Sequence, residues 1–77
     1  MMDEAADQLY SYILANRGRL RRNVFRDENV LKLSLRRLRR ELGYSSGRII
    51  NALHRLEHEG RIRILEERKG VRIIEVL

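Results

Sequence analysis

The stretch LRRLRRELGYSSGRIINALHRLEHEG, residues 35–60, constrains this chain more than any other. Leu35, Leu38 and Leu42 recur at spacings of three and four, and Ile49, Leu53 and Leu56 do the same, so each set lines one face of a helix. Gly43 and Tyr44 leave too little chain between the stripes for the helices to separate, so their apolar faces must share one core. Ser34 and Ser45 stand where an N-cap hydroxyl accepts a backbone N–H, and Gly43 and Gly60 stand where a helix closes. Helices are therefore expected over 35–42 and 46–59.

Beyond Gly60 the period changes from helical to alternating. Residues 61–64, RIRI, and 71–76, VRIIEV, read as strands joined by a loop over 66–70 in which Gly70 supplies a positive φ. The result is a hairpin over 61–76 with a basic tip at Arg68 and Lys69. Upstream, Ala6, Leu9 and Ile13, with Tyr10 beside them, predict a helix over 3–16 that Gly18 ends as a left-handed cap. Residues 30–33, VLKL, form a short third strand or an extended lead-in, and 19–29 are open between a helical turn and an ordered loop. The fold class is α+β and mostly helical: a three-helix core followed by a two-stranded β-hairpin.

No Pro, Gly/Ser linker or repeat divides the 77 residues, which is the size of one domain with a thin core. The chain has no Cys, which excludes disulfides and thiolate metal sites. No apolar run approaches the roughly 20 residues of a membrane span, and the opening residues are acidic where a secretion signal is basic. A cytoplasmic address is the expectation. The net charge of +6 is segregated: residues 1–16 hold three acids and no base, whereas 17–55 hold eleven Arg and Lys32 against Asp27, Glu28 and Glu41. Such a basic middle attracts a polyanion, although a highly charged surface of a heat-adapted protein gives the same total.

The placement of these charges inside the helices is unusual. Arg36 and Arg37 open one helix and Arg48 opens the next, while Glu41, Glu57 and Glu59 lie toward their ends, opposite to what the helix dipole favours. The first helix has its acids at the N-terminal end, as the dipole prefers. An external anion at the N-termini explains the reversal, since it would form charge-assisted bonds with these arginines.

With the tight turn between two helices and the run L-x-R-L-x-x-E-G-R-I leading into a hairpin, residues 30–76 resemble the winged helix-turn-helix DNA-binding domains of MarR-like and ArsR-like transcription regulators. The resemblance implies double-stranded DNA as partner, the second helix of the pair in the major groove, and the hairpin wing on the neighbouring backbone. Carried onto this sequence, it implies groove-facing positions at Ser46, Gly47, Arg48, Ile50, Asn51, His54 and Arg55, with the capping Ser45 also in the DNA-binding set. Arg36, Arg37, Arg39 and Arg40, with Arg68 and Lys69 on the wing, would meet phosphates. The chemistry of two of these residue types stands on its own, because Arg can pair with guanine O6 and N7 and Asn51 with adenine N6 and N7. A role as a transcription regulator or DNA-associated factor follows, with the protein at the nucleoid when bound.

Other chemistries have less support. His54 and His58 share a helical face, but a zinc site needs a third and fourth ligand. No Gly-rich phosphate loop exists, and Ser45 and Ser46 have no base and orienting group, so the chain reads as a non-enzyme without cofactor, metal or small-molecule ligand. The apolar faces carry Leu and Ile at core spacing where a membrane-surface helix carries bulky aromatics. Double-stranded RNA is disfavoured because its deep groove excludes a helix.

The main rival is a winged helix that docks an acidic protein, with Ile50, Leu65 and whichever of Ile73 and Ile74 points outward as the apolar patch. A homodimer through the first helix or last strand is also expected. Tyr12 and Leu14 lie off the first helix's apolar stripe, and the adjacent Ile73 and Ile74 face opposite ways, so one of them needs another cover.

Overall fold

A computed structural model of the chain describes residues 4–20 and 29–77. Its elements are helices α1 (Glu4–Ala15) and α2 (Arg17–Leu20), strand β1 (Val30–Ser34), helices α3 (Leu35–Leu42) and α4 (Ser46–His58), and strands β2 (Ile62–Arg68) and β3 (Val71–Val76). The fold is α+β and mostly helical, with one antiparallel sheet in the order β1-β3-β2.

Local chemistry sets the α3–α4 pair. The Ser34 and Ser45 hydroxyls accept the backbone N–H of Arg37 and Arg48, each at 3.3 Å, so both helices begin at a capped turn. Gly43 adopts φ 77° and its N–H reaches the carbonyl of Arg39 at 2.9 Å, a left-handed close that residues with a Cβ rarely adopt. Three residues, Gly43, Tyr44 and Ser45, connect the helices. Leu35 and Leu38 from α3 then meet Ile49, Ala52, Leu53 and Leu56 from α4, all buried, over Ala5, Ala6, Leu9 and Ile13 of α1. Leu31 and Leu33 of β1, Ile62 of β2, and Ile74 and Val76 of β3 close the core from the sheet side.

Three expectations need correction. Gly18 does not cap the first helix: it lies within α2, at a φ that is not positive, and α1 stops at Ala15. Asn16 makes the joint, its side-chain amide donating to the Tyr12 carbonyl at 2.8 Å while its own carbonyl accepts from Arg19 and Leu20. The short second helix brings Leu20 into the core. The rest of the open segment, residues 21–28, lies outside the described residues.

The hairpin loop is also shorter than expected. Glu66, Glu67 and Arg68 belong to β2, opposite Ile73, Arg72 and Val71, and only Lys69 and Gly70 turn the chain. A bulge between Ile64 and Glu66 leaves Leu65 without an opposite residue and shifts the alternation by one, which disguised the strand as loop. Finally, Ile73 and Ile74 are both buried within the single chain, at 2% and 0% exposure. Ile74 joins the main core, and neither face of β3 requires a second copy to cover it. The homodimer argument is left with Leu14, which is 40% exposed.

One charged group ties α4 to the sheet. The Glu57 carboxylate accepts the backbone N–H of Ile64 at 2.7 Å, at the residue where the bulge interrupts the ladder. Glu57→Ala leaves a part-buried N–H without that acceptor and is expected to cost about 1–3 kcal/mol in urea unfolding, with an unchanged m value. Glu57→Gln keeps a carbonyl acceptor and should lose clearly less; equal stability of both variants and the parent would show that the bond contributes nothing.

Candidate functional site

Apart from Arg17, whose guanidinium donates to the Asn29 side-chain oxygen, the described basic residues divide into two groups. Arg19 pairs with Glu41, Arg55 with Glu59, Arg61 with Asp7 and Glu59, Arg63 with Glu75, Arg68 with Glu66, and Arg72 with Glu67. Among the described residues, no carboxylate forms an ion pair with Lys32, Arg36, Arg37, Arg39, Arg40, Arg48 or Lys69. Five of those seven lie on α3 and the first turn of α4, and all five are exposed.

These arginines border a concave feature. Arg36, Arg39 and Arg40, one face of α3, line a groove of about 570 Å³ whose other walls are Gly43, Tyr44 and Ser45. Tyr44 is held in place, its hydroxyl donating to Gln8 Oε1 of α1 at 2.7 Å. The Arg48 guanidinium stacks 4.5 Å from the centre of the Tyr44 ring, a cation–π contact that sets its charge beside the groove. The sequence marks Tyr44 only as a turn residue, not as part of the site. Its position three residues after Glu41 carries no periodic signal, and only the fold of the connection brings it against Arg48.

The remaining expected site residues are placed unevenly. On α4, Gly47 and Asn51 are exposed and Ser46 is half-buried, so Asn51 presents a free-standing amide to solvent. Ile50 is half-buried and packs against the core. His54 Nε2 lies 3.3 Å from Glu67 Oε1 of β2, and Arg55 is drawn toward the C-terminal end of α4 by Glu59 at 3.2 Å. Arg68 is engaged by Glu66, which leaves Lys69 as the cation of the hairpin tip without an ion-pair partner among the described residues. The carbonyl of Gly70 accepts the N–H of Leu35 at 3.0 Å, so this tip lies beside the start of α3 and extends its basic surface.

The other side of α4 differs. Between α4 and β2 a second groove, about 420 Å³, is lined by His54, Glu57, Ile64, Leu65, Glu66 and Glu67. Acid and apolar side chains dominate it, and it offers a polyanion nothing. The apolar patch expected for protein docking is not assembled, because Ile50, Ile73 and Ile74 are all wholly or partly covered and only Leu65, at 47% exposure, remains.

The reversed helix polarity resolves into two parts. Glu57 serves Ile64, Glu59 serves Arg55 and Arg61, and Glu41 bonds to Tyr12 and Arg19, so each C-terminal acid has an internal role. The last turns also hold Arg39 and Arg40 in α3 and Arg55 and His58 in α4, which suit the dipole, so the reversal is narrower than the sequence implied. Among the described residues, no carboxylate forms an ion pair with Arg36, Arg37 or Arg48 at the two N-termini; Arg48 stacks on Tyr44, and Arg37 acts on Glu41 only through space.

The Glu41 cluster has a pH signature. A hydrogen bond from the Tyr12 hydroxyl holds the Glu41 carboxyl below the usual carboxylate value against some desolvation, with Arg19 and Arg37 adding to the depression. Burial, then the bond to Glu41, pushes the Tyr12 phenol up. A depressed carboxyl stabilises the fold above its ordinary pKa and loses that contribution as pH falls through the depressed value. Unfolding curves of the parent and of Glu41→Gln are therefore expected to converge as pH falls through the carboxylate range; a constant gap would separate Glu41 from acid sensitivity.

Among the described residues, no group of three or more His, Asp or Glu side chains is placed to hold a metal. No described helix is long and apolar enough to cross a membrane. Comparison with family models, with curated proteins and with solved structures returned no match for the chain.

Proposed function

We propose that this chain binds double-stranded DNA as a winged helix-turn-helix module, in a transcription regulator or another DNA-associated factor. The observation that carries the reading is the set of five arginines, Arg36, Arg37, Arg39, Arg40 and Arg48, gathered at one helix–turn–helix and without an ion-pair partner among the described residues. The element order α1-α2-β1-α3-α4-β2-β3, with the last strand between the other two, supports the winged form. In this reading α4 enters the major groove with Arg48 and Asn51 toward base edges, and α3 and Lys69 lie along phosphates. His54, Arg55 and Arg68 contribute only where DNA displaces their carboxylate partners.

A fluorescence titration of the whole chain against random-sequence duplex, repeated over a range of salt, tests the reading. Five phosphate contacts predict a log–log slope near −4.5, from about −0.9 per contact. No binding at low salt, or a slope near zero, would remove duplex DNA as the partner.

A further inference from the structure

We infer that the groove between α3 and α4 is a discrete site for a short chain of linked phosphates, such as tripolyphosphate or the phosphate tail of a nucleoside triphosphate. This goes beyond duplex binding and contradicts the absence of any small ligand expected from the sequence. Arg36 has Arg39 and Arg40 three and four residues ahead, the spacing at which side chains on a helix face one another. Like charges so placed repel, and no carboxylate among the described residues relieves them. A bound anion would.

The shape selects the kind of anion. The groove is a shallow, open trough of about 570 Å³ with a mostly polar lining, which suits a charged, partly solvated ligand. Gly43 leaves it open on one side, with nothing within 4 Å of where a Cβ would stand. The far wall is fixed, because Tyr44 is bonded to Gln8 and stacked under Arg48. Ser45 Oγ accepts from the Arg48 N–H and keeps its own O–H to donate. Three planar guanidinium forks in one concavity match an anion that packs several phosphoryl charges into a small volume, and each fork can hold one phosphoryl group in a bidentate fashion. A duplex spaces its phosphates along an extended backbone and would meet these arginines singly, whereas a short phosphate chain engages all three together.

Because the same three arginines lie on the surface proposed for DNA, the phosphate chain and the duplex would exclude one another. That consequence rests on the duplex reading; the site itself does not.

Isothermal titration of the whole chain with tripolyphosphate at about 150 mM salt, where surface charges are screened beyond about 8 Å, tests it. Saturation at about one per chain is expected, with Arg39→Ala and Arg40→Ala each weakening binding about tenfold. Lys32→Ala removes the same charge from an exposed strand position and should leave affinity within about twofold. Orthophosphate should bind at least about tenfold more weakly, and adenosine triphosphate within about threefold of tripolyphosphate, since the phosphates supply the recognition.

Unsaturable binding, an equal loss in Lys32→Ala, or a strong preference for the nucleotide would each overturn the assignment. Circular dichroism of each variant confirms that it is folded, and duplex titration without phosphate present keeps the two readings separate. Tripolyphosphate binding without DNA binding refutes only the duplex reading, and the converse refutes only this one.

Discussion

Replacing Arg36, Arg39 and Arg40 together by Ala is expected to weaken duplex binding about a hundredfold at about 150 mM salt, and to flatten the salt slope by about 2.7. The magnitude follows from counterion release. Each neutralised phosphate contributes about 0.9 to the slope, and three such contacts at about 0.15 M salt amount to roughly two decades of affinity. The three side chains are exposed and have no carboxylate partner among the described residues, so their removal breaks no ion pair and relieves repulsion along α3. The fold of the triple variant should therefore be at least as stable as the parent. Arg63→Ala is the matched control, since Arg63 is committed to Glu75 on the sheet. A triple variant that binds as the parent does, with the same slope, would place the phosphate contacts elsewhere and remove α3 from the interface.

Leu53→Ala is expected to have the largest effect on stability, about 2–5 kcal/mol. Leu53 is 1% exposed and lies in the stripe of α4 that packs on α1 and on β2, so the methyl groups it loses cannot be replaced by solvent without opening the core. A 77-residue domain has about 4–12 kcal/mol of net stability to begin with. The single truncation therefore removes a large share of it and should lower the melting temperature by about 8–40 °C, at about 4–8 °C per kcal/mol. Leu65→Ala tests the same chemistry at a bulged, 47% exposed position and should change stability by about 0.5 kcal/mol or less. Comparable losses at the two positions, measured by urea unfolding, would mean that the packing of α4 is not what holds the domain together.

Much of the fold was legible before any tertiary contact was known, because helix periodicity, hydroxyl caps and glycine closures act between residues three or four apart. α3 runs over the same residues as the helix expected from Leu35, Leu38 and Leu42, and α4 begins after Ser45 as its cap requires. The same locality explains the errors. Gly18 has the composition of a helix end, yet the need to bury Leu20 continues the helical path through it. Residues 66–68 are too polar to read as strand, yet the ladder to β3 carries them along after the bulge.

The candidate site divides in the same way. The sequence by itself determined that a surplus of arginine stands at the start of two adjacent helices, since charge order and capping are one-dimensional properties. Only the tertiary structure decided which of those charges are free. Ion pairing depends on what lies across from a side chain, and the partners come from other elements: Asp7 of α1 reaches Arg61, Glu67 of β2 reaches His54, and Gln8 of α1 fixes the ring beneath Arg48 through Tyr44. Burial of both Ile73 and Ile74 is likewise decided in three dimensions, because a strand's alternation says that neighbours face opposite ways but not whether each face is covered.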